Sequence, residues 1–473
     1  MATDSVSSFA RQLSALLESV RTGQGFFSRE PEFCHDPRKS SPSPITRLSR
    51  RIESCDPLEV VASFSHRPHV YWRSADGSLE MTGLGHAECI VANSAEEQRV
   101  AFAQMRALLE ISPPTVKFYG GLRFDPQAPT APEWEKFGSA TFTLPRVEII
   151  EQSGSAYVAI NLLSNSSIEE QLKEVDEIYQ EAVRPRARRE KLVVSKIRDD
   201  NPDERGWDEK VRDVLAILEG AGRARKIVLS RCSRFAVHGE VSAPSIVREL
   251  KRASPRSFGY IFSPQPGVTF FGASPERLFQ RRTTRIVSEA LAGTTIRGAN
   301  QEHDQVLALD LLASRKNRLE HQLVIDSIAA QLQTLCVTQP IIEDTSTIKS
   351  GSVQHLVASI QGVLRSEVSD WEIVRALHPT PAVAGTPTDS AIRFIRENEK
   401  HDRGWYSGPV GYIGKDESEL AVALRCALSD GEHIRLFVGA GLVSGSEEKS
   451  EWNELEAKVS PYLRLLQEVT RYA

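Results

Sequence analysis

Several short segments of the sequence combine residue types that could handle protons, a divalent cation and an anionic small molecule. In ARKIVLSR (224–231), Lys226 opens an apolar run. A lysine desolvated there sheds its proton more readily and can serve as a base, although a strand-end lysine can equally extend its ammonium to water. In GASPERLF (272–279), Glu276 follows Ser-Pro in a turn between apolar strands. A carboxyl held there can stay protonated and act as an acid, the alternative being a salt bridge to the adjacent Arg277. EALAGTTIRG (289–298) brings small residues together with Gly293 and Gly298, which let a ligand approach the backbone or simply make a tight turn. In RKNRLEHQLVIDSI (315–328), Glu320 and His321 are neighbours on a predicted helix, so at most one of them faces a given site. FVGAGLVSGSEEKSEWNELEAK (437–458) is the richest segment. A strand runs into Gly439-Ala440-Gly441, where successive N–H groups can form an anion-binding nest. The following helix sets Glu451, Glu454 and Lys458 on one face. Two carboxylates beside a lysine suit Mg2+ and an anionic substrate; a surface Glu454–Lys458 pair, worth about 0.3–0.5 kcal/mol, is the simpler alternative.

These segments need strands and helices to hold them. Apolar periodicity predicts an opening amphipathic helix through Phe9, Leu13, Leu16 and Val20. Residues 22–48, rich in Pro, Ser, Gly and Arg, read as a loop or flexible segment. Apolar runs then flank Asp76-Gly77, a two-residue hairpin signal. FYGGLRFD (118–125), ATFTLPRVEII (140–150) and AYVAINLL (156–163) read as strands of an antiparallel sheet. Ser167 and Glu170 fit a capping box ahead of a helix face of Ile168, Leu172, Val175 and Tyr179. The polar segment 184–206 is the best linker candidate, and its arginine cluster reads as solvated surface because acidic residues follow closely. Beyond it, helices are predicted at 207–221, 301–333, 370–377, 387–399 and 448–470. Strands are predicted at 225–231, 258–263, 268–272, 285–291, 405–413, 419–428 and 433–439, and HPTPAVAGTP (378–387) reads as a rigid loop.

The chain has 473 residues, 40% hydrophobic and 26% charged. This allows a sizeable core and excludes a mainly disordered chain. With 58 basic and 63 acidic residues the formal net charge is -5, which argues against a dedicated nucleic-acid binder but permits a locally positive pocket. The six cysteines form no CxxC pair, as free thiols in a reducing compartment would not. The first residues lack the pattern of a secretory signal, and no stretch reaches the roughly 20 apolar residues of a membrane span. A soluble, cytoplasmic protein with no membrane or nucleic-acid partner is expected.

Taken in order, KIVLSR, GASPERL, EALAGTTIRG, LEHQLVIDSI, QHL (354–356), LHPTPAVAGTP, RGWYSGPVGYIG, VGAGLVSGS and EWNELEAK resemble the chorismate-utilising enzymes. The likeness covers about residues 207 to 466. In the N-terminal half, VYWRSADGSLEMTGLG, FYGGLRFD and TFTLPRVEI look like the menaquinone-type isochorismate synthases of that family. The resemblance implies that Lys226 is a general base and Glu276 a general acid, and that water rather than ammonia attacks chorismate, so no glutaminase subunit is expected. It also implies Mg2+ held by Glu320 and Glu454, with Glu451 acting through water. Carboxylate contacts would come from Tyr406, Arg425, Gly439, Ala440, Gly441 and Lys458, and Gly293 and Thr294 would form the pocket wall. Leu319, Asn317 and Leu455 depart from the residues common beside these ligands, which leaves fine substrate tuning open.

The fold implied is α+β: a single large domain of two stacked antiparallel sheets flanked by helices. In it, 1–50 would be an N-terminal helix and flexible segment, 51–206 would add strands to the same body, and 207–466 would be the chorismate-binding catalytic region. The activity implied is reversible isochorismate formation for menaquinone biosynthesis. Salicylate synthase, anthranilate synthase and a catalytically silent chorismate-binding homologue are the competing readings.

Overall fold

Strands from both halves of the chain interleave in two antiparallel sheets. The structure, a computed structural model, describes residues 2–22, 44–184, 192–195, 197–220, 224–239 and 241–471. The larger sheet begins at Ile45–Ile52 and passes through Ser155–Leu163, Val147–Gln152, Leu79–Leu84 and His69–Arg73. It continues through Phe258–Gln265, Val268–Ser274, Cys426–Ser429 and His433–Leu442 to Lys226–His238. The halves meet where Tyr71 pairs with Ile261. In the second sheet they meet again, where Gly411 of Pro409–Gly414 pairs with Gly120 of Lys117–Leu122. Neither half therefore has a closed sheet of its own.

The buried faces of the two sheets share an aromatic core. Trp72 and Phe258 from the larger sheet stack at 5.6 Å, and Trp72 meets Tyr412 of the other sheet edge-on at 6.3 Å. Trp134, Phe137, Phe262, Phe270 and Trp405 complete this cluster. Helices Glu204–Glu219, Ala243–Ala253 and Glu448–Arg471 cover the outside of the larger sheet, and Ala95–Glu110 and Arg315–Leu335 cover the second. The opening helix, Ala2–Thr22, buries Phe9, Leu13 and Leu16 as its periodicity predicts. No helix among the described residues is long and apolar enough to cross a membrane.

The predicted elements differ from the observed ones for local reasons. The single helix expected over 301–333 is two helices, Gln301–Ala313 and Arg315–Leu335, because Ser314 adopts extended backbone and its hydroxyl caps Asn317 N–H. The strand expected over 419–428 is split by Arg425, whose φ is 48°. The strand expected from 405 starts only at Pro409, after a turn. Ile45–Ile52 forms an edge strand, which corrects both the loop reading of 22–48 and a boundary at residue 50; residues 23–43 lie outside the described residues. Within the supposed linker, Val193–Val194 and Asp199–Asn201 pair with Lys226–His238. The Ala95–Glu110 helix went unpredicted although Ser94 caps it.

Gly404 shows how tightly the aromatic core is packed. Its φ is 53°, and a Cβ there would lie 2.0 Å from the Trp134 ring, which has no room to retreat. Gly404→Ala is expected to cost about 1–3 kcal/mol, read as a lower urea midpoint with unchanged slope. An unshifted midpoint would contradict this account of the core.

Candidate active site

At one corner of the sandwich two strands leave one sheet for the other. Val268–Ser274 crosses through Pro275 and Glu276 into Arg277–Arg282, and Glu417–Val422 crosses back through residues 423–425 into Cys426–Ser429. Such corners are where sandwich strands switch sheets. The two crossings are bonded to each other: Val422 N–H donates to the Glu276 carbonyl at 3.0 Å, and Ala273 N–H donates to the Arg425 carbonyl at 3.1 Å. Glu276 and Arg425 are thereby fixed side by side.

Glu276 is 2% exposed and its Oε1 has no hydrogen-bond partner among the described residues. Burial pushes its pKa up to about 8, even against the pull of the Lys226 ammonium. It is a carboxylic acid at neutral pH, able to donate. Arg425 is left-handed, and its carbonyl is also held by the Tyr462 hydroxyl at 2.6 Å. Its guanidinium makes no ion pair among the described residues, and burial pulls its pKa down to about 10. Nη2 lies 3.1 Å from Nε2 of His355. Arginine can only donate, so Nε2 accepts and the proton sits on Nδ1, which lies 3.1 Å from the Thr294 hydroxyl. Burial, reinforced by Arg425 and Lys458, keeps this imidazole neutral. Thr294 N–H in turn donates to Asn317 Oδ1 at 3.3 Å.

Facing this corner, Lys226 begins the Lys226–His238 strand, fully buried, with Nζ 2.9 Å from Glu320 Oε1. Gly441 lies opposite: a Cβ there would come within 2.7 Å of both Lys226 Cε and Glu320 Oε1. A Cβ at Gly439 would lie 2.6 Å from Tyr406 Oη. On the Glu448–Arg471 helix, Glu454 pairs with Lys458 at 2.6 Å, and Lys458 also donates to the Gly439 carbonyl at 2.8 Å. Burial alone would raise the Glu454 pKa, but Lys458 overrides it and keeps the carboxylate ionised. Glu451 is raised by burial and by Glu454, and is held by Lys316 at 2.7 Å. These elements border one cleft that is partly open to solvent.

A family model described as "chorismate binding enzyme" matches residues 32–467. The chain belongs to the chorismate-binding enzyme family. It is 36% identical over 372 residues to isochorismate synthase 2, chloroplastic, of Arabidopsis thaliana, covering 77% of this chain and 66% of that protein. The chain thus spans just under two thirds of that plant relative. It is 29% identical to isochorismate synthase MenF of Bacillus subtilis, covering 94% of this chain and 99% of that protein. The solved structure of MenF, the menaquinone-specific isochorismate synthase from Escherichia coli, superposes with a TM-score of 0.79 at 27% identity, covering 97% of this chain and 99% of that one. The two-sheet fold expected from the sequence is the one this family has.

Within this chorismate-binding fold, Glu276, Gly293, Thr294, Glu320, Tyr406, Arg425, Gly439, Gly441, Glu454 and Lys458 all line the cleft. Lys226 stands just behind Glu320 and Gly441 rather than on the lining itself. The expected nest at 439–441 is absent: these residues are extended backbone in His433–Leu442, paired with Lys226–His238. Alternation then turns Gly439 and Gly441 to the cleft and buries the Ala440 side chain in the opposite core, which leaves Ala440 only its backbone to offer the cleft. Glu451 lies outside the lining. Among the described residues no three carboxylate, histidine or cysteine side chains converge as a ready metal cluster; the carboxyl groups on the lining are Glu276, Glu320 and Glu454, of the hard-oxygen type that suits Mg2+. Of the departures from the family pattern, Asn317 backs Thr294, Leu319 is exposed, and Leu455 is core. His355 was missed as a site residue, although QHL stood among the matching segments.

The raised pKa of Glu276 has a stability signature. Below its ordinary value of 4.5 the carboxyl is protonated in both folded and unfolded chains. From there up to about 8 it ionises only in the unfolded chain, so the fold loses stability as pH rises through that window. Glu276→Gln removes this loss. Melting curves should show the variant level with wild type near about pH 4 and more stable near about pH 8. A constant difference at both would contradict a neutral Glu276.

Proposed function

We propose that this protein is an isochorismate synthase, an isomerase that converts chorismate reversibly to isochorismate. The observation that carries the reading is a buried carboxylic acid on the wall of one cleft, a buried lysine just behind that wall, and an arginine on the lining with no ion pair among the described residues. Chorismate bears a C4 hydroxyl, which leaves poorly as hydroxide. Glu276 donates its proton to that oxygen so that it departs as water. Lys226, when neutral, accepts a proton from the water attacking C2. One water is consumed and one released, leaving the isomer. The acid must hold a proton and the base must take one up, and the cleft must serve both demands.

Arg425 is suited to grip a substrate carboxylate with two parallel hydrogen bonds. Tyr406 and Lys458 border the same space, and Gly439 and Gly441 leave room for the ligand. His355 holds Arg425 and Thr294 in register. Glu320 and Glu454 would hold Mg2+, with Glu451 acting through water; the ion would supply positive charge to orient and polarise the substrate carboxylate. Water as nucleophile removes any need for a glutaminase subunit. The menaquinone-specific name of the E. coli relative supports a place in quinone biosynthesis, and the free thiols among the described residues support a cytoplasmic location.

Purified protein supplied with chorismate and Mg2+, its products resolved by chromatography, tests the reading. Isochorismate alone is expected. EDTA should abolish its formation and added Mg2+ restore it. Lys226→Ala should slow turnover by roughly 100- to 10,000-fold, the range of a lost general base. Salicylate with pyruvate would reassign the chain as a salicylate synthase. Absence of any product with water or ammonia would leave a chorismate-binding homologue without activity.

A further inference from the structure

Behind the cleft wall lies a buried polar cluster that this chemistry does not use. Arg403 donates from Nη2 to the Val228 carbonyl and from Nη1 to the Val383 carbonyl, each at 2.9 Å. Val228 and Val383 both line the cleft but belong to different elements. Val228 stands two residues beyond Lys226 on its strand, and Val383 lies in the loop that follows His378. The guanidinium is gripped at both ends by Glu399, Nε to Oε2 at 2.7 Å and Nη2 to Oε1 at 2.6 Å. Glu399 also reaches back to the strand, accepting from Ser230 N–H at 2.8 Å and the Ser230 hydroxyl at 2.9 Å. Lys226, Val228 and Ser230 share one face of that strand. Since the Ser230 proton goes to Glu399, its oxygen accepts from His401 Nε2 at 2.8 Å.

The Arg403 and Glu399 side chains are 3% and 4% exposed. A buried ion pair is often no more stabilising than apolar residues of the same volume. Its distinctive contribution is a set of fixed bond directions, and here they end on two walls of the cleft. Glu399, His401 and Arg403 also border a second, solvent-connected cavity of about 330 Å3, together with Phe124 and Arg396.

We propose that Arg403, oriented by Glu399, is a positioning residue for the reaction: it clamps the strand that carries Lys226 against the neighbouring loop, whose Gly385–Thr386 pairs with the start of that strand and whose Val383 borders the cleft. The proposal rests on the reading of Lys226 as the base. Arg403→Ala should lower kcat by roughly 10- to 100-fold, the scale of a small misplacement of a reacting group, while KM stays within about threefold. Guanidinium chloride at low millimolar concentration, entering through the second cavity, should restore part of kcat, and urea should not. Arg396→Ala, which breaks only rim bonds to Asp125 and Gln127, should match wild type.

A wild-type kcat in Arg403→Ala would overturn the clamp. So would a loss that guanidinium does not relieve and that comes with a parallel rise in KM. If Arg403→Ala does not fold, Ser230→Ala decides: a reduced kcat at unchanged KM supports the clamp, and a wild-type kcat overturns it. A wild-type protein that makes no isochorismate overturns the functional reading and the clamp with it, whereas an active wild type with an indifferent Arg403→Ala overturns the clamp alone.

Discussion

Two strands change sheets side by side, and each crossing must satisfy the backbone groups that leaving a sheet exposes. They do so by bonding to each other, Val422 to Glu276 and Ala273 to Arg425. The Ser274 hydroxyl adds a bond to the Val422 carbonyl, and Tyr462 from the C-terminal helix adds one to Arg425. A left-handed arginine is an unfavourable conformation that persists only where its surroundings over-determine it. Here the reward is direction: the turn that ends Glu417–Val422 aims the guanidinium into the cleft beside Glu276. A carboxylic acid and an arginine, remote in sequence, become neighbours through backbone geometry.

Around that corner the charges are arranged so that burial does chemical work. Glu320 meets Lys226 and Glu454 meets Lys458, so these cations and carboxylates compensate one another. Among the described residues Glu276 has no cationic partner at hydrogen-bond distance and keeps its proton, and Arg425, which cannot discard its charge, has no carboxylate partner. A neutral acid and an uncompensated cation are what a dianionic substrate with a reluctant leaving group requires. The second negative charge of chorismate would fall to the Mg2+ proposed at Glu320 and Glu454.

Much of this site was legible from residue type and order. Lys226, Glu276, Glu320 and Glu454 stand in short segments that each allow a plainer reading, and only their order and the family resemblance joined them into one expected site, on a strand, a turn and two helices. The glycines were legible as close approach but not as to how. Gly439 and Gly441 suggested a turn, whereas they are extended residues whose missing side chains make room for Tyr406, Lys226 and Glu320. Ala440 between them faces the core for the same reason of alternation. His355, Tyr462, Arg403 and Glu399 were not read as site residues because their decisive contacts span long separations, from 37 residues for Tyr462–Arg425 and 70 for His355–Arg425 to 169 for Glu399–Ser230 and 175 for Arg403–Val228. No local pattern encodes a carbonyl bonded across the fold. The break at Ser314 is a milder case, since a capping serine inside a periodic run can be read either way until the chain direction is known.

The central claim is that Glu276 is a protonated acid at neutral pH. Infrared difference spectroscopy of wild type against Glu276→Gln, titrated through the neutral range, reads it directly. The account predicts a carboxylic-acid carbonyl band, absent from the variant, that persists through neutrality and converts to carboxylate with a midpoint near about 8. A Glu276 band already converted near the ordinary glutamate value of 4.5 would contradict it.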